Sequence, residues 1–328
     1  MLAVWYDMQG PAEQVLRFGD LPTPEPGAGE VRVRVTRSGI NPGDTKKRRG
    51  WLGSSMPFPR VIPHSDGAGV VDKVGAGVDS ARIGERVWVF GAQSYRAFGT
   101  AAQFTVVPAA QAVTLPDTVG DDIGACLGIP GITAHRAVFG DGPIRCRTVL
   151  VHGVLGGVGA MATQLARWGG ATVIGTVRHR ADLAHAYSRG VEQVVALDGP
   201  DPAREIRDHA PGGIDRIIEV AFSDNIDLDA AVAKNHTVIA AYGTGESRPN
   251  FPFWPMLFDN ITIRLLGSDD FPAEAKQQAA TDLTAAAADG ALSIAIDEPV
   301  PLDQATRAHD LVDRGTRTRT RTLLAIPD

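Results

Sequence analysis

Few cysteines occur in the sequence, and their scarcity excludes several classes of protein. Only Cys126 and Cys146 are found among 328 residues. Two thiols can build neither a disulfide framework nor a four-cysteine zinc site, so we expect a reducing, cytoplasmic setting. The first residues also lack the basic segment and the apolar segment of a secretory signal, so no such signal is predicted.

Long apolar runs and an excess of positive charge are lacking as well. The longest segment without a charged residue, residues 148–166, contains four glycines together with His152 and Gln164. This composition favours a buried strand, turn and helix over a membrane span. The net charge of −6 argues against nucleic acid as a partner, because the neutralisation of phosphates requires a basic surface.

The chain is long enough for two domains, and its first part has the pattern of a β-rich one. Short segments with alternating polar and apolar residues are separated by glycine and proline. The clearest of them are residues 30–36, 67–74 and 85–90. Several short strands with such turns between them are typical of a compact, barrel-like domain.

From residue 124 onward the pattern alternates between strands and helices. Strands are predicted at residues 148–152, 172–176, 193–197, 214–220, 238–242 and 261–266, and helices at residues 158–168 and 181–189. Such alternation predicts a mostly parallel sheet with helices on both faces. After Pro272 the sequence predicts a helix rich in alanine and glutamine, then two β-like pieces around residues 302–312. We expect this tail to join the first domain.

A glycine-rich turn lies between the first predicted strand and helix of the parallel sheet. It contains Gly153, Gly156, Gly157 and Val158, and its spacing departs from Gly-x-Gly-x-x-Gly. In this context, glycines allow a backbone to approach a pyrophosphate closely at the positive end of a helix. The alternative is a glycine-rich helix start that packs on a neighbouring strand.

The end of the next predicted strand indicates which nicotinamide cofactor is bound. An acidic residue there would bind a ribose 2′-hydroxyl, whereas arginine suits a 2′-phosphate. The strand ends at Thr176 and is followed by Arg178 and Arg180, with no carboxylate before Asp182. The sequence therefore predicts NADPH, with two solvated arginines as the alternative.

Four motifs occur in order along the chain, at residues 39–44, 63–69, 128–134 and 149–159. Together they resemble the medium-chain dehydrogenase/reductase superfamily, in its zinc-free quinone oxidoreductase (zeta-crystallin-like) branch. The resemblance implies an α/β fold with a GroES-like catalytic domain (residues 1–122 and 269–328) and a doubly wound Rossmann domain (residues 123–268). It also implies an active site in the cleft between the domains.

The resemblance carries over to individual residues. It places Asn41 and Asp44 in the active site, and Asn41 also beside the cofactor. It assigns Thr133, Gly156, Gly157, Val158 and Gly243 to cofactor binding. Arg321 stands where the family often has a basic residue. Arg317, Arg319 and Arg321 would share one face of an extended segment, either near the cofactor phosphate or as a solvated strand edge.

No metal site is predicted. Asn41 stands where the resemblance would put the cysteine ligand of the zinc enzymes, and neither cysteine belongs to a Cys-x-x-Cys pattern. His64 is interpreted as a hydrogen-bonding loop residue. Without a Lewis acid, the site suits hydride transfer to an acceptor that is already electron-poor, such as a quinone or an α,β-unsaturated carbonyl. Asn41 is a candidate amide donor to the acceptor oxygen.

Lys46 occupies a position where many relatives carry tyrosine. We expect it either to act on the acceptor's oxygen or an anionic group, or to pair with Asp44 or water. The segment 251–258 is rich in aromatic residues and proline, so it is a candidate for an apolar pocket wall, core or interface.

Three functions remain open at this point. The first is an NADPH-dependent quinone or enone reductase, the second an enoyl-thioester reductase of lipid or polyketide metabolism. The third is a cofactor-binding structural protein with little turnover. The resemblance further implies a homodimer joined through the last Rossmann strand, residues 261–266, because an apolar strand edge usually requires a partner.

Overall fold

A computed structural model describes residues 1–314 and 320–328 of the chain. The strands are β1 (Leu2–Trp5), β2 (Arg17–Asp20), β3 (Glu30–Gly39), β4 (Asp66–Val74), β5 (Arg86–Val89), β6 (Phe104–Pro108), β7 (Ala112–Thr114), β8 (Thr148–Val151), β9 (Thr172–Val177), β10 (Gln193–Ala196), β11 (Ile214–Glu219), β12 (Ala233–Ala241), β13 (Thr262–Leu265), β14 (Val300–Pro301) and β15 (Leu323–Ala325).

Helices connect most of these strands. They are α1 (Ala12–Val15), α2 (Pro42–Arg49), α3 (Asp121–Gly124), α4 (Ile132–Phe139), α5 (Gly157–Trp168), α6 (Leu183–Ser188), α7 (Pro202–His209), α8 (Phe222–Val232), α9 (Phe253–Phe258), α10 (Ala273–Ala288) and α11 (Ala305–Asp313). Among the described residues, no helix is both long and apolar enough to cross a bilayer.

The chain divides into two compact units. The first comprises Met1–Pro130, Ala280–Ala288 and Ser293–Asp328, and the second comprises Gly131–Ala279 and Asp289–Leu292. The division falls after Pro130, whereas the sequence prediction put it after residue 122. Helix α10 is shared between the units, because its last nine residues, Ala280–Ala288, belong to the first one.

The first unit is β-rich and is built from both ends of the chain. Its seven-stranded sheet has the order β14-β15-β3-β4-β5-β7, with β6 paired to β3. Strand β15 pairs antiparallel with the end of β3, so the C-terminal residues complete the sheet that the N-terminal residues begin. This agrees with the prediction that the tail joins the first domain.

The second unit contains a six-stranded sheet whose strands are all parallel, in the order β10-β9-β8-β11-β12-β13. This is the strand order of a doubly wound Rossmann sheet, in which ligands bind where the order reverses. Here the reversal lies between β8 and β11. The predicted α/β fold, with a β-rich domain and a doubly wound parallel sheet, is confirmed.

The borders of several elements differ from the sequence prediction. Strand β12 begins at Ala233 rather than at residue 238, because Ala233 already pairs with Ile214 of β11, ahead of a register shift before Val238. The predicted helix at 181–189 begins as a 3-10 turn over Arg180–Asp182 and continues as α6. Short elements such as α2 and α9 were not predicted, since they are too short to show a clear periodicity.

Candidate active site

The glycine-rich turn follows β8 and leads into α5. Gly153 has a positive φ of 68°, a conformation that favours glycine. Gly156 is the N-cap of α5, which begins at Gly157. A Cβ on Gly159 would overlap the carbonyl of Gly153, so the helix starts directly against the turn. The first helical residues, Gly157 and Val158 among them, have no carbonyl of a preceding helical turn to bind, and N–H groups at such a helix start are the usual ligands of a phosphate.

The residues predicted to recognise the 2′ position of the cofactor's ribose lie at the carboxyl end of β9. Thr176 is fully buried, whereas Arg178 and Arg180 are exposed. The backbone N–H of Arg180 donates to Asp198 Oδ1 at 2.8 Å. Sequence reasoning missed Asp198. The available signal was its position directly after the predicted strand that becomes β10, which pairs with β9.

Two further predicted cofactor residues lie in the second unit. Thr133 is buried near the start of α4. Gly243 follows β12, and a Cβ there would overlap the carbonyl of Val220 in the loop after β11. Phe222 N–H also donates to the Gly243 carbonyl at 3.0 Å. The loops after β11 and β12 are therefore packed closely together, which explains a glycine at this position.

Asn41 lies in the first unit, where its side-chain amide is held from both ends. Its Nδ2 donates to Asp66 Oδ2 at 2.6 Å, and its Oδ1 accepts from Arg321 Nη2 at 2.8 Å. These two partners fix which end of the amide is the donor. The amide nitrogen carries two hydrogens, and the bond to Asp66 uses one of them.

Asp66 binds the candidate residue Asn41 directly, and the sequence analysis did not single it out. It is fully buried, and its Oδ1 accepts from the Ile129 N–H at 2.8 Å. A Cβ on Gly128 would overlap the Asp66 carboxyl group, which accounts for the glycine in that motif. Burial raises the pKa of Asp66 to about 7, although its hydrogen bonds from Asn41 and Ile129 oppose this. The signal was its place in the motif at residues 63–69.

Asp44 and Lys46 both lie in α2, for which Asn41 is the N-cap. Asp44 is buried, and its Oδ2 accepts from the Asn41 backbone N–H at 2.7 Å. The carboxylate thus stabilises the start of the helix. Lys46 Nζ lies 4.6 Å from the centre of the Trp51 ring, a cation–π contact that was not among the expected alternatives.

Arg321 does not lie on the solvated strand edge considered above. Arg321 is buried against Asn41 and precedes β15. It therefore reaches the same amide as Asp66, from a position 280 residues away in the sequence. Arg317 and Arg319 lie outside the described residues.

His64 is a loop residue within a buried chain of hydrogen bonds, in agreement with its interpretation. The Thr100 hydroxyl donates to the Asp66 carbonyl at 2.6 Å, so the Ser38 hydroxyl must donate to Thr100 at 2.8 Å. Ser38 Oγ then accepts from His64 Nδ1 at 2.8 Å. His64 Nε2 must therefore accept from His309 Nε2 at 2.9 Å. Both imidazoles are neutral in this arrangement.

One cluster of side chains in the described part of the chain could hold a metal ion, and it lies far along the sequence from Asn41. The ligand atoms of His152, Glu219 and Asp229 all lie within 4.8 Å of one another, and the three residues are buried. However, His152 Nε2 and Asp229 Oδ1 are 2.8 Å apart, which is the distance of a hydrogen bond rather than of two ligands on one ion.

Lowering the pH from 7 to 5 is expected to reduce the contribution that His64 and His309 make to the free energy of unfolding. Burial lowers the pKa of His64 to about 3 and that of His309 well below 6.5. The unfolded chain therefore takes up protons below pH 6.5 that the folded chain does not. Their contribution to stability is full above that pH and falls by about 1.4 kcal/mol per pH unit and histidine below it. The raised pKa of Asp66 acts in the opposite direction, because the folded chain takes up that proton first.

Chemical denaturation at a series of pH values measures this slope. Between pH 7 and pH 5, the free energy of unfolding of the double variant His64→Gln/His309→Gln should fall less, or rise more, than that of the original protein. The variant His209→Gln, at an exposed position in α7, should leave the profile unchanged. Parallel profiles for the double variant and the original protein would contradict the expectation.

Comparison with known proteins identifies the family. The alcohol dehydrogenase GroES-like domain matches residues 27–117, and the zinc-binding dehydrogenase domain matches residues 157–283. The rat quinone oxidoreductase is 31% identical over 312 residues, which cover 93% of this chain and 91% of the relative. A mycobacterial quinone oxidoreductase structure has a TM-score of 0.86 at 27% identity, covering 99% of both chains.

A mycobacterial protein complexed with NADPH has a TM-score of 0.82 at 26% identity, again over 99% of both chains. The similarity therefore extends through both units and both predicted domains. The chain belongs to the medium-chain dehydrogenase/reductase superfamily and, within it, to the quinone oxidoreductase branch that its four motifs predicted.

Proposed function

We propose that the protein is an NADPH-dependent reductase that transfers hydride, without zinc, to a quinone or an α,β-unsaturated carbonyl compound. The observation that carries this proposal is the amide of Asn41. It is buried between Asp66 and Arg321 and stands where the zinc enzymes of the superfamily have a cysteine ligand. An amide so held is a hydrogen-bond donor in a fixed direction and not a metal ligand of the zinc type.

The second unit has the features required to bind NADPH. The turn at Gly153, Gly156 and Gly157 offers backbone N–H groups and the positive end of α5 to a pyrophosphate. The exposed guanidinium groups of Arg178 and Arg180 lie at the end of β9, where they suit a 2′-phosphate. When bound, the reduced nicotinamide supplies the two electrons and the hydrogen of the reaction.

In the first unit, Asn41 would orient the acceptor and stabilise the charge that develops on its oxygen. The second Nδ2 hydrogen would form this bond, and the partners Asp66 and Arg321 prevent the amide from rotating. Such a preorganised donor is worth more in the transition state than a mobile one, because it does not have to reorient as charge develops. Asp44 would contribute indirectly, by holding the backbone of Asn41.

Replacement of the two exposed arginines tests the choice of cofactor. Arg178→Ala/Arg180→Ala should weaken NADPH binding at least ten-fold, since charge-assisted hydrogen bonds to the 2′-phosphate are worth about 1.5–3 kcal/mol each. The affinity for NADH should remain unchanged. Binding is measured by titration of cofactor fluorescence, with the exposed Arg204→Ala in α7 as the matched control. An equal loss of NADH affinity would contradict the assignment.

A panel of acceptors tests the reaction. NADPH should be oxidised in the presence of quinones or enones, and a metal chelator should not reduce the rate. Asn41→Ala should lower kcat by about 10²–10³-fold if the amide stabilises the oxyanion, whereas the exposed Asn235→Ala should not. Turnover of crotonyl-type thioesters but not of quinones would instead indicate an enoyl-thioester reductase. Binding of NADPH without any oxidation would indicate a structural protein.

A homodimer is part of the same proposal. Strand β13 is an edge of the parallel sheet, and Leu265 at its end is 77% exposed. Nearby in the sequence, α9 exposes Trp254 at 65% and Phe258 at 71%, so this aromatic segment lies largely on the surface rather than in the core. An apolar edge of this kind is covered by a second copy when two sheets join edge to edge.

Sedimentation equilibrium at micromolar concentration should show a dimer. Leu265→Lys should shift the protein towards the monomer because it places a charge in the proposed contact. Leu52→Lys, at a 72% exposed position in the first unit, is the matched control and should remain dimeric. A protein that is strictly monomeric before any substitution would exclude the dimer.

A further inference from the structure

Three buried ionisable side chains meet where the strand order of the second unit reverses. His152 follows β8, Glu219 ends β11, and Asp229 lies in α8. All three side chains are fully buried. Strands β8 and β11 are neighbours, and sheets of this type bind dinucleotides at the carboxyl ends of such a strand pair. The cluster therefore lies at the carboxyl ends of the strand pair beside which the pyrophosphate is proposed to bind.

One series of hydrogen bonds connects the cluster to the glycine-rich turn. His152 Nδ1 is 2.9 Å from Thr176 Oγ1. Thr176 in turn holds the start of the turn with two atoms. Its Oγ1 accepts from the Gly153 N–H at 3.4 Å, and its carbonyl accepts from the Val154 N–H at 3.2 Å. A shift of the His152 ring is thus transmitted through Thr176 to the backbone of the turn.

A second series of hydrogen bonds connects the cluster to the loop after β11. Glu219 Oε1 accepts from the Ala221 N–H, and both carboxylate oxygens accept from Asn225 Nδ2, at 3.2 and 3.1 Å. This loop is packed against Gly243 of the loop after β12. The buried cluster consequently connects the loops that follow β8, β11 and β12 with Thr176 near the end of β9.

Asp229 sets the orientation of the His152 ring. Its Oδ1 lies 2.8 Å from His152 Nε2, and a carboxylate only accepts, so Nε2 carries a hydrogen. Nδ1 is thereby directed towards Thr176. Burial by itself lowers the pKa of His152, but Asp229 and Glu219 outweigh it, so that the pKa is raised. The Thr–His–Asp order resembles that of a nucleophilic triad, yet Thr176 is fully buried and so is withheld from any substrate.

We propose that His152, oriented by Asp229, is a positioning residue for the dinucleotide turn and acts on it through Thr176. The affinity for a cofactor that contains a pyrophosphate then depends on Asp229, a fully buried side chain. This inference rests on the proposed NADPH dependence. It assigns a role in cofactor binding to residues that the glycine motif itself does not include.

The variant Asp229→Asn tests the inference. It keeps the shape and an acceptor oxygen, but it removes the charge and allows the ring to reorient. We expect the Kd for NADPH to rise about ten-fold, as is typical when a group that orients a binding residue is replaced. The Kd for adenosine 2′-monophosphate, which has the 2′-phosphate but no 5′-phosphate, should change less than about two-fold, because it places no phosphate at the turn. The value of kcat at saturating NADPH should be retained.

Two further variants keep the test decisive. Thr176→Val removes only the hydroxyl between His152 and Gly153, and it should reproduce the selective loss of NADPH affinity even if Asp229→Asn does not fold. Asp227→Asn makes the same substitution at an exposed position of α8 and should change neither Kd. The melting temperature is measured for every variant with and without NADPH.

The possible results separate the two proposals. If the original protein fails to bind NADPH, the proposed function is wrong and the inference falls with it. If it binds NADPH, and Asp229→Asn and Thr176→Val lower only the melting temperature, the cluster is structural and the inference is overturned. An equal loss of affinity for NADPH and for adenosine 2′-monophosphate would also overturn it, because that result indicates a general distortion of the unit.

Discussion

The reversal of strand order between β8 and β11 is the constraint on which the second unit depends. The connections that follow two such strands leave to opposite faces of the sheet, so their carboxyl ends are not covered by a crossing helix. The backbone must then turn sharply beside a ligand. This requirement explains Gly159 against the carbonyl of Gly153, and Gly243 against that of Val220.

The same reversal also explains the buried polar groups near the turn. Side chains at the ends of two neighbouring central strands are surrounded by protein, so any polar group there requires a partner within the fold. His152 and Glu219 occupy these positions, and Asp229 and Asn225 of α8 complete their hydrogen bonds. The glycine-rich turn is thus bonded through Thr176 to a group of buried, mutually bonded side chains.

The first unit meets a different requirement with similar means. Its central amide, that of Asn41, must keep one orientation. The buried carboxyl group of Asp66 accepts from the amide nitrogen, and the buried guanidinium of Arg321 donates to the amide oxygen. The backbone of Asp66 is held by Thr100, which ends the chain of bonds from His309 through His64 and Ser38. These bonds connect β3, β4, α11 and the C-terminal segment. The position of one functional amide therefore depends on residues from both ends of the chain.

Much of this could be predicted from local sequence patterns. The alternation of polar and apolar residues predicted β3, β4 and the strands of the parallel sheet to within a few residues, since periodicity depends only on neighbours in the chain. The glycine-rich turn before α5 and the arginines after β9 could likewise be recognised, because each lies within a few residues of the end of a predicted strand. Asp66, Asp198 and His309 were not recognised as parts of the sites. Each owes its significance to a partner on another element.

The sequence by itself therefore determined the two kinds of domain, the family and the residues that line the cofactor turn. Only the tertiary structure decided which polar groups meet. Asn41 and Arg321 are 280 residues apart, and His152 and Asp229 are 77 apart. Such pairs form because burial makes an unpartnered polar group costly, and the fold as a whole selects the partner. No local pattern contains that information, since it arises only when distant strands and helices pack together.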